Sequence, residues 1–206
     1  NADLNGGTGG YASFVNGVSS PAVGAGGVGD QIAMGQGFYV HSTGATSLVA
    51  QETHKSLLDP TYLRPNPISQ QLLRLRIDGQ SNMNDETVLY FEANATNAFD
   101  ELYDANKLRG NDPFAPVLAM YSNALPFQIN GVAPLAGTYT MDVLATTGYS
   151  GIYTLSAASF SSLPKGTCFT MFDKATSTSF DLRNSNYVFY LADTTVAPRF
   201  RITLTN

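Results

Sequence analysis

Tryptophan is absent from this 206-residue chain, cysteine occurs once and histidine twice. With Cys168 alone, no disulfide can form within the chain, so stability has to come from a packed core. Its neighbours Thr167, Phe169, Thr170, Met171 and Phe172 read as a strand, in which Cys168 is expected to be a small buried filler. His41 and His54 have neither cysteine clusters nor H-E-x-x-H spacing beside them, which argues against a zinc centre, and both are expected at the surface or at a strand end. Charge is sparse: 13% of residues are charged, with 11 Lys+Arg against 16 Asp+Glu and a net charge of -5. A phosphate backbone needs clustered cations, so nucleic acid is excluded as a partner. No apolar run approaches the roughly 20 residues of a membrane-spanning helix, and membrane insertion is not expected.

What is present is β-forming. Hydrophobic residues make up 43% of the chain, enough for one sizeable core or two small ones. Leu73, Leu75 and Ile77 alternate with Arg74, Arg76 and Asp78, the period of a strand with one buried and one charged face. The same period runs through 88–93, 139–144, 153–157 and 200–204, and Gln36 to His41 is strand-like. Clusters at 79–84, 110–116, 131–137 and 164–166 read as turns. No long i, i+3, i+4 pattern with caps occurs. These features predict an all-β fold of about ten to thirteen short strands, an antiparallel, jelly-roll-like β-sandwich or two packed sandwiches. Asp59-Pro60, Arg64-Pro65 and Asn66-Pro67 stiffen the chain, because each proline holds its predecessor in extended geometry. They divide it into an N-terminal β segment (1–56), a proline-rich crossing (57–70) and a β-sandwich domain (71–206).

Several patterns invite chemical readings. Gly24-Ala25-Gly26-Gly27-Val28-Gly29 fits G-x-G-x-x-G, but Pro21 precedes it and no helix follows, so a dinucleotide fingerprint is rejected in favour of a loop. Asp85, Glu86, Glu92, Asp100, Glu101, Asp104 and Asp112 could supply carboxylate pairs for glycoside hydrolysis, though sequence does not give their separation. Asp100, Asp104 and Asp112 lie in a loop-like stretch and form a candidate calcium site without EF-hand spacing. The competing reading is that these acids cap turns, pair with Lys107 or Arg109, or face water. Gly148-Tyr149-Ser150-Gly151 is one residue short of a nucleophile elbow. Asn94-Ala95-Thr96 is a sequon that matters only in a eukaryotic secretory pathway.

The stretch from Asp85 to Leu108 is the most specific in the chain, with Asp85-Glu86-Thr87 and Phe91 followed by Ala95-Thr96, Phe99-Asp100, Tyr103-Asp104-Ala105 and Lys107-Leu108. It resembles the "DETxxxF…ATxxFDxxYDAxKL" block in the C-terminal β-sandwich regions of large proteins that Bacteroidota export through the type IX secretion system. Tyr11 to Gly17 followed by Met34 to Val40 is similar to the "YxxYVNG…xGQGFFV" pair of those regions. Leu182-Arg183, Tyr187 to Phe189 and Arg199 to Leu204 are similar to their "LR…YxF…RFxLxF" ending, so the likeness runs from about residue 11 to 205. Asn106 departs from the aromatic usual at its position. The "NPYP" opening and the sorting domain of such proteins are not in the sequence, so the resemblance implies a piece of a longer cell-surface protein.

The resemblance implies a non-enzymatic extracellular module with a structural, adhesive or assembly role. It makes Thr194 of Asp193-Thr194-Thr195 a candidate O-glycosylation site; within the Asp85 to Leu108 block, Phe91, Phe99, Tyr103 and Leu108 are expected to be buried, with the acids closing the turn between two strands. Missing N-terminal strands would leave edges to pair with a neighbouring subunit or with the rest of the parent protein. The alternative is a carbohydrate-binding module, with glycans stacked on exposed tyrosines such as Tyr62, Tyr103, Tyr121 or Tyr149.

Overall fold

The computed structural model describes residues 11–20, 31–32, 37–42, 44–55, 71–110, 112–160, 163 and 166–206. The proline-rich crossing, the 24–29 glycine pattern and Tyr62 lie outside these residues. The fold is all-β, as the alternation predicts. Thirteen strands form among the described residues: β1 (Ser13–Val15), β2 (Val18–Ser20), β3 (Leu72–Asp78), β4 (Asn84–Phe91), β5 (Ala105–Asn106), β6 (Val117–Ser122), β7 (Leu125–Val132), β8 (Thr138–Thr146), β9 (Gly151–Ser159), β10 (Cys168–Asp173), β11 (Thr178–Phe180), β12 (Tyr187–Leu191) and β13 (Phe200–Thr205). Helix among the described residues is confined to three-residue 3-10 turns at Glu52–His54 and Gln80–Asn82. No described helix is long and apolar enough to cross a membrane.

Eleven strands make one mixed sheet in the order β11-β10-β13-β8-β6-β7-β4-β3-β9-β12, with β5 added to β7. Pairing is antiparallel except between β4 and β7, which run parallel with Val88 opposite Ile129. The sheet curls until its two end strands meet, which makes it nearly a barrel. Phe180 of β11 stacks on Tyr187 of β12 with centroids 3.9 Å apart and planes 5° from parallel. Within the curl lies one large core, including Leu73, Leu75, Ile77, Leu118, Phe169, Met171, Phe200 and Ile202. Alternation supplies it: β10 and β13 each send every second residue inward.

The strand phase corrects the reading of Cys168. Phe169 and Met171 point inward, so Cys168, one position earlier, falls on the outer face and is exposed. Gly37 to His41 is likewise exposed and not a strand, although Tyr39 packs edge-on against Tyr11 with centroids 5.1 Å apart. Gly131 belongs to β7 rather than to a turn. His41 and His54 are exposed, as expected.

β1 and β2 form a separate two-stranded sheet. Its turn is Asn16-Gly17, with φ of 45° and 80°, the pair of positive values that a two-residue hairpin matching strand twist requires. The hairpin covers the outer face of the sheet, where Val18, Leu72, Val88, Tyr90 and Ile129 form a second, smaller core with Val15, Tyr103 and Ala105 packed against it. Hence six consecutive residues of β4, Glu86 to Phe91, are buried.

That cover overturns the charged-face reading of β3. Arg74 is 4% exposed, not solvated. Its Nη1 lies 3.1 Å from Glu86 Oε2 and its Nη2 donates to the Ser19 carbonyl at 2.8 Å. The core assignment in the acidic block also divides: Phe91 is buried and Tyr103 half-buried, but Leu108 and Phe99 are exposed. Phe99, 37% exposed, lies over Phe127 with centroids 5.9 Å apart. Phe99→Ala is therefore expected to cost about 1–2 kcal/mol, below the roughly 3–5 kcal/mol of a fully buried phenylalanine. Urea denaturation measures the difference, and a loss above about 3 kcal/mol would contradict the half-exposed placement.

Candidate functional site

The acidic block turns the carboxylates of Asp104, Asp85 and Glu86 inward. Asp104 is buried, and its Oδ1 accepts hydrogen bonds from Asn130 Nδ2 at 2.9 Å and the Gly131 amide at 2.8 Å. Its Oδ2 accepts from the Asp100 amide at 2.7 Å. Burial nonetheless pushes the Asp104 carboxyl above its ordinary range, these donors only partly opposing it. Gly131 is required by close approach, since a Cβ there would sit 2.8 Å from the Tyr90 ring and from Tyr103 Cβ. The Tyr90 hydroxyl donates to the Tyr103 carbonyl at 3.0 Å, and burial raises it to about 12.

Asp85, at the start of β4, faces Lys107, just past β5. Lys107 Nζ is 2.5 Å from Asp85 Oδ2 and donates to the Glu86 carbonyl at 3.2 Å. The Leu118 amide donates to the same Asp85 oxygen at 2.7 Å. The two side chains are 4% and 15% exposed, for Lys107 and Asp85 respectively. Burial pushes the Asp85 carboxyl up and the Lys107 ammonium down, each opposed by the charge of the other. The pair borders a cleft of about 160 Å³ whose lining includes Arg109, Asp112, Gln128 and Thr147.

The structure uses the candidate calcium ligands as turn closures. Asp100 Oδ2 accepts from the Thr96 amide at 2.7 Å and the Thr96 hydroxyl at 2.8 Å, and Asp112 Oδ1 accepts from the Phe114 amide at 2.8 Å. No group of three or more His, Cys, Asp or Glu residues suited to a metal ion occurs among the described residues. Thr194 lies in an exposed turn between β12 and β13, accessible to a modifying enzyme. The candidate sugar-stacking tyrosines are dispersed. Tyr103 lies against the second core, Tyr121 is half-buried in β6, and Tyr149, 51% exposed, is in the loop between β8 and β9.

A second polar cluster, which sequence reading missed, closes the seam of the sheet. Asp173, at the end of β10, accepts from Arg199 Nε at 3.0 Å and Nη2 at 2.7 Å, and from the Tyr187 hydroxyl at 3.0 Å. The Arg199 guanidinium sits 4.7 Å from the Phe189 ring centre, and its Nη1 donates to the Tyr190 carbonyl. Thus one arginine joins β10 to β12 with no strand ladder between them. Outside the seam, Ile152, Val188 and Tyr190 expose an apolar strip, with Ile152 directly opposite Tyr190.

Comparison with known proteins returns no match. No family model, curated protein or solved structure is significantly similar to the chain. The functional reading therefore rests on the residues themselves.

Proposed function

We propose that the chain is a non-enzymatic extracellular β-sandwich module of a secreted or cell-surface bacterial protein of the type IX secretion class, with a structural, adhesive or assembly role. The observation that carries this reading is where the signature carboxylates go. Asp85, Glu86, Asp100 and Asp104 are engaged by Lys107, Arg74, Thr96 and the β7 backbone, so the most specific stretch of sequence serves to build the fold. Assembly through strand edges has support in the β1–β2 hairpin, whose two strands pair only with each other among the described residues. An edge of this kind can accept a strand from the parent protein or a neighbouring subunit.

Protease shaving of intact cells that express the native protein tests the location. Peptides from the exposed turn around Thr194 should be released before lysis, and a chain protected until lysis overturns the proposal.

A carbohydrate-binding role is the second reading, favoured by the exposed strip of Tyr190, Val188 and Ile152, since a tyrosine ring beside apolar neighbours can stack on a sugar face. Titration with soluble polysaccharides, comparing the native chain with Tyr190→Ala, separates the two. Saturable binding lost in the variant supports sugar recognition, and no binding leaves the structural role standing.

A further inference from the structure

We propose that Asp85 and Lys107 join through a side-chain amide, so that the mature module carries a covalent tie between the start of β4 and the residue following β5. Lys107 Nζ rests 2.5 Å from Asp85 Oδ2, in direct contact with the carboxyl group whose carbon it would attack. Holding an amine and a carboxyl group side by side makes acyl transfer between them intramolecular, so the entropy of bringing them together has been spent in folding. Here β4 carries the carboxyl, and the main-chain bond from the Lys107 amide to the Pro126 carbonyl, 2.9 Å, fixes the base of the lysine.

An ordinary ion pair in water is unreactive, since an ammonium has no lone pair and a carboxylate repels nucleophiles. Burial changes the balance. With the side chains 4% and 15% exposed, moving the proton from nitrogen to oxygen removes two desolvated charges and leaves an amine facing a carboxylic acid. The shifts of both groups toward their neutral forms agree with this. The Glu86 carbonyl accepts one Nζ–H and orients the amine. The Leu118 amide, 2.7 Å from Oδ2, holds the carboxyl group against the amine.

The step balances without any co-reactant. The Nζ lone pair forms a bond to Cγ of Asp85, the bond from Cγ to Oδ2 breaks, and Oδ2, which took the ammonium proton, leaves as water. That water carries the proton of the acid and one proton from the amine. The cleft bordered by both residues gives it a path to solvent. No oxidation or reduction occurs. The inference rests on the geometry of this pair and holds under either reading of the protein's surface role.

Intact-mass measurement of the folded, then denatured, chain tests it directly. The native protein should be lighter than its sequence by one water, about 18 Da, and proteolysis should yield a branched peptide containing both Asp85 and Lys107. Lys107→Arg, which keeps the cation but cannot form the amide, should appear at full mass. A native chain at full sequence mass overturns the proposal. So does a water loss that persists in Lys107→Arg, which would assign it to ring closure elsewhere, as at Asp78-Gly79. The branched peptide is read from the native protein, so the test does not depend on the variant folding.

Discussion

Replacing Asp173 by alanine is expected to destabilise the protein by about 3–5 kcal/mol, the cost of stranding one member of a buried ion pair. The Asp173 side chain is fully buried and that of Arg199 nearly so. The carboxylate accepts both guanidinium bonds, the Tyr187 hydroxyl and the Ala175 amide at 2.9 Å. Without it, Arg199 would keep its charge between the Phe189 and Phe200 rings with no anion to balance it. The seam would also lose its bond from β10 to Tyr187 of β12, which leaves the Phe180–Tyr187 stack to hold the end strands together.

The same cluster predicts a pH dependence. Burial, the largest single influence on Asp173, pushes its carboxyl up, but the Arg199, Ala175 and Tyr187 donors together outweigh it and hold the group below the ordinary carboxylate value. A depressed folded-state value means the contribution is complete above the unfolded-state value of about 4 and drains away as pH falls through the folded-state value. Urea denaturation of the native chain and Asp173→Asn should therefore show a large gap near neutral pH that closes in acid. A neutral-pH gap below about 1 kcal/mol, typical of an exposed pair, would remove the seam from the account of stability.

The main core was legible because its strands alternate. Leu73, Leu75 and Ile77, and Phe200, Ile202 and Leu204, are buried as their period of two requires. Cys168 was misplaced by composition, its residue type being commonly buried, although the phase set by Phe169 and Met171 puts it outside. Arg74 could not be read from its own strand, because what covers it is a hairpin whose Ser19 lies 55 positions away in sequence. Asp173 and Arg199 are 26 positions apart and meet only because the sheet curls. At the candidate site, the sequence indicated that the acids would cap turns or pair with Lys107. Which acid takes the lysine was decided by the placement of β5 on β7 beside the parallel β4–β7 pair. Alternation reports which face a residue occupies, whereas the partner on that face comes from topology.

Glu86→Ala is expected to be as damaging as the loss of Asp173, about 3–5 kcal/mol, for a related reason in the second core. Glu86 lies between two arginines, with Arg74 Nη1 at 3.1 Å and Arg76 Nη1 at 3.4 Å. Arg76 is partly exposed and also holds Asp78 at 2.8 Å, so it has another anion and access to water. Arg74 is 4% exposed, and burial pulls its guanidinium below the ordinary value while Glu86 pulls it back. Removing Glu86 leaves that buried cation with the Ser19 carbonyl, a dipole in place of a charge. The damage should spread to the hairpin, because Arg74 is one of its polar anchors; another is Gln128, whose Nε2 donates to the Ser20 hydroxyl at 2.7 Å. Amide exchange in β2 should accelerate before that in β13. Arg74→Met combined with Glu86→Leu removes both charges together, and replacing a buried pair with apolar groups of similar volume is often neutral or stabilising by about 1–4 kcal/mol. The double variant should therefore be markedly more stable than Glu86→Ala. If it is as unstable as the single variant, the penalty lies in packing and not in the stranded charge; if Glu86→Ala itself costs less than about 1 kcal/mol, the pair is solvated and the hairpin does not cover it.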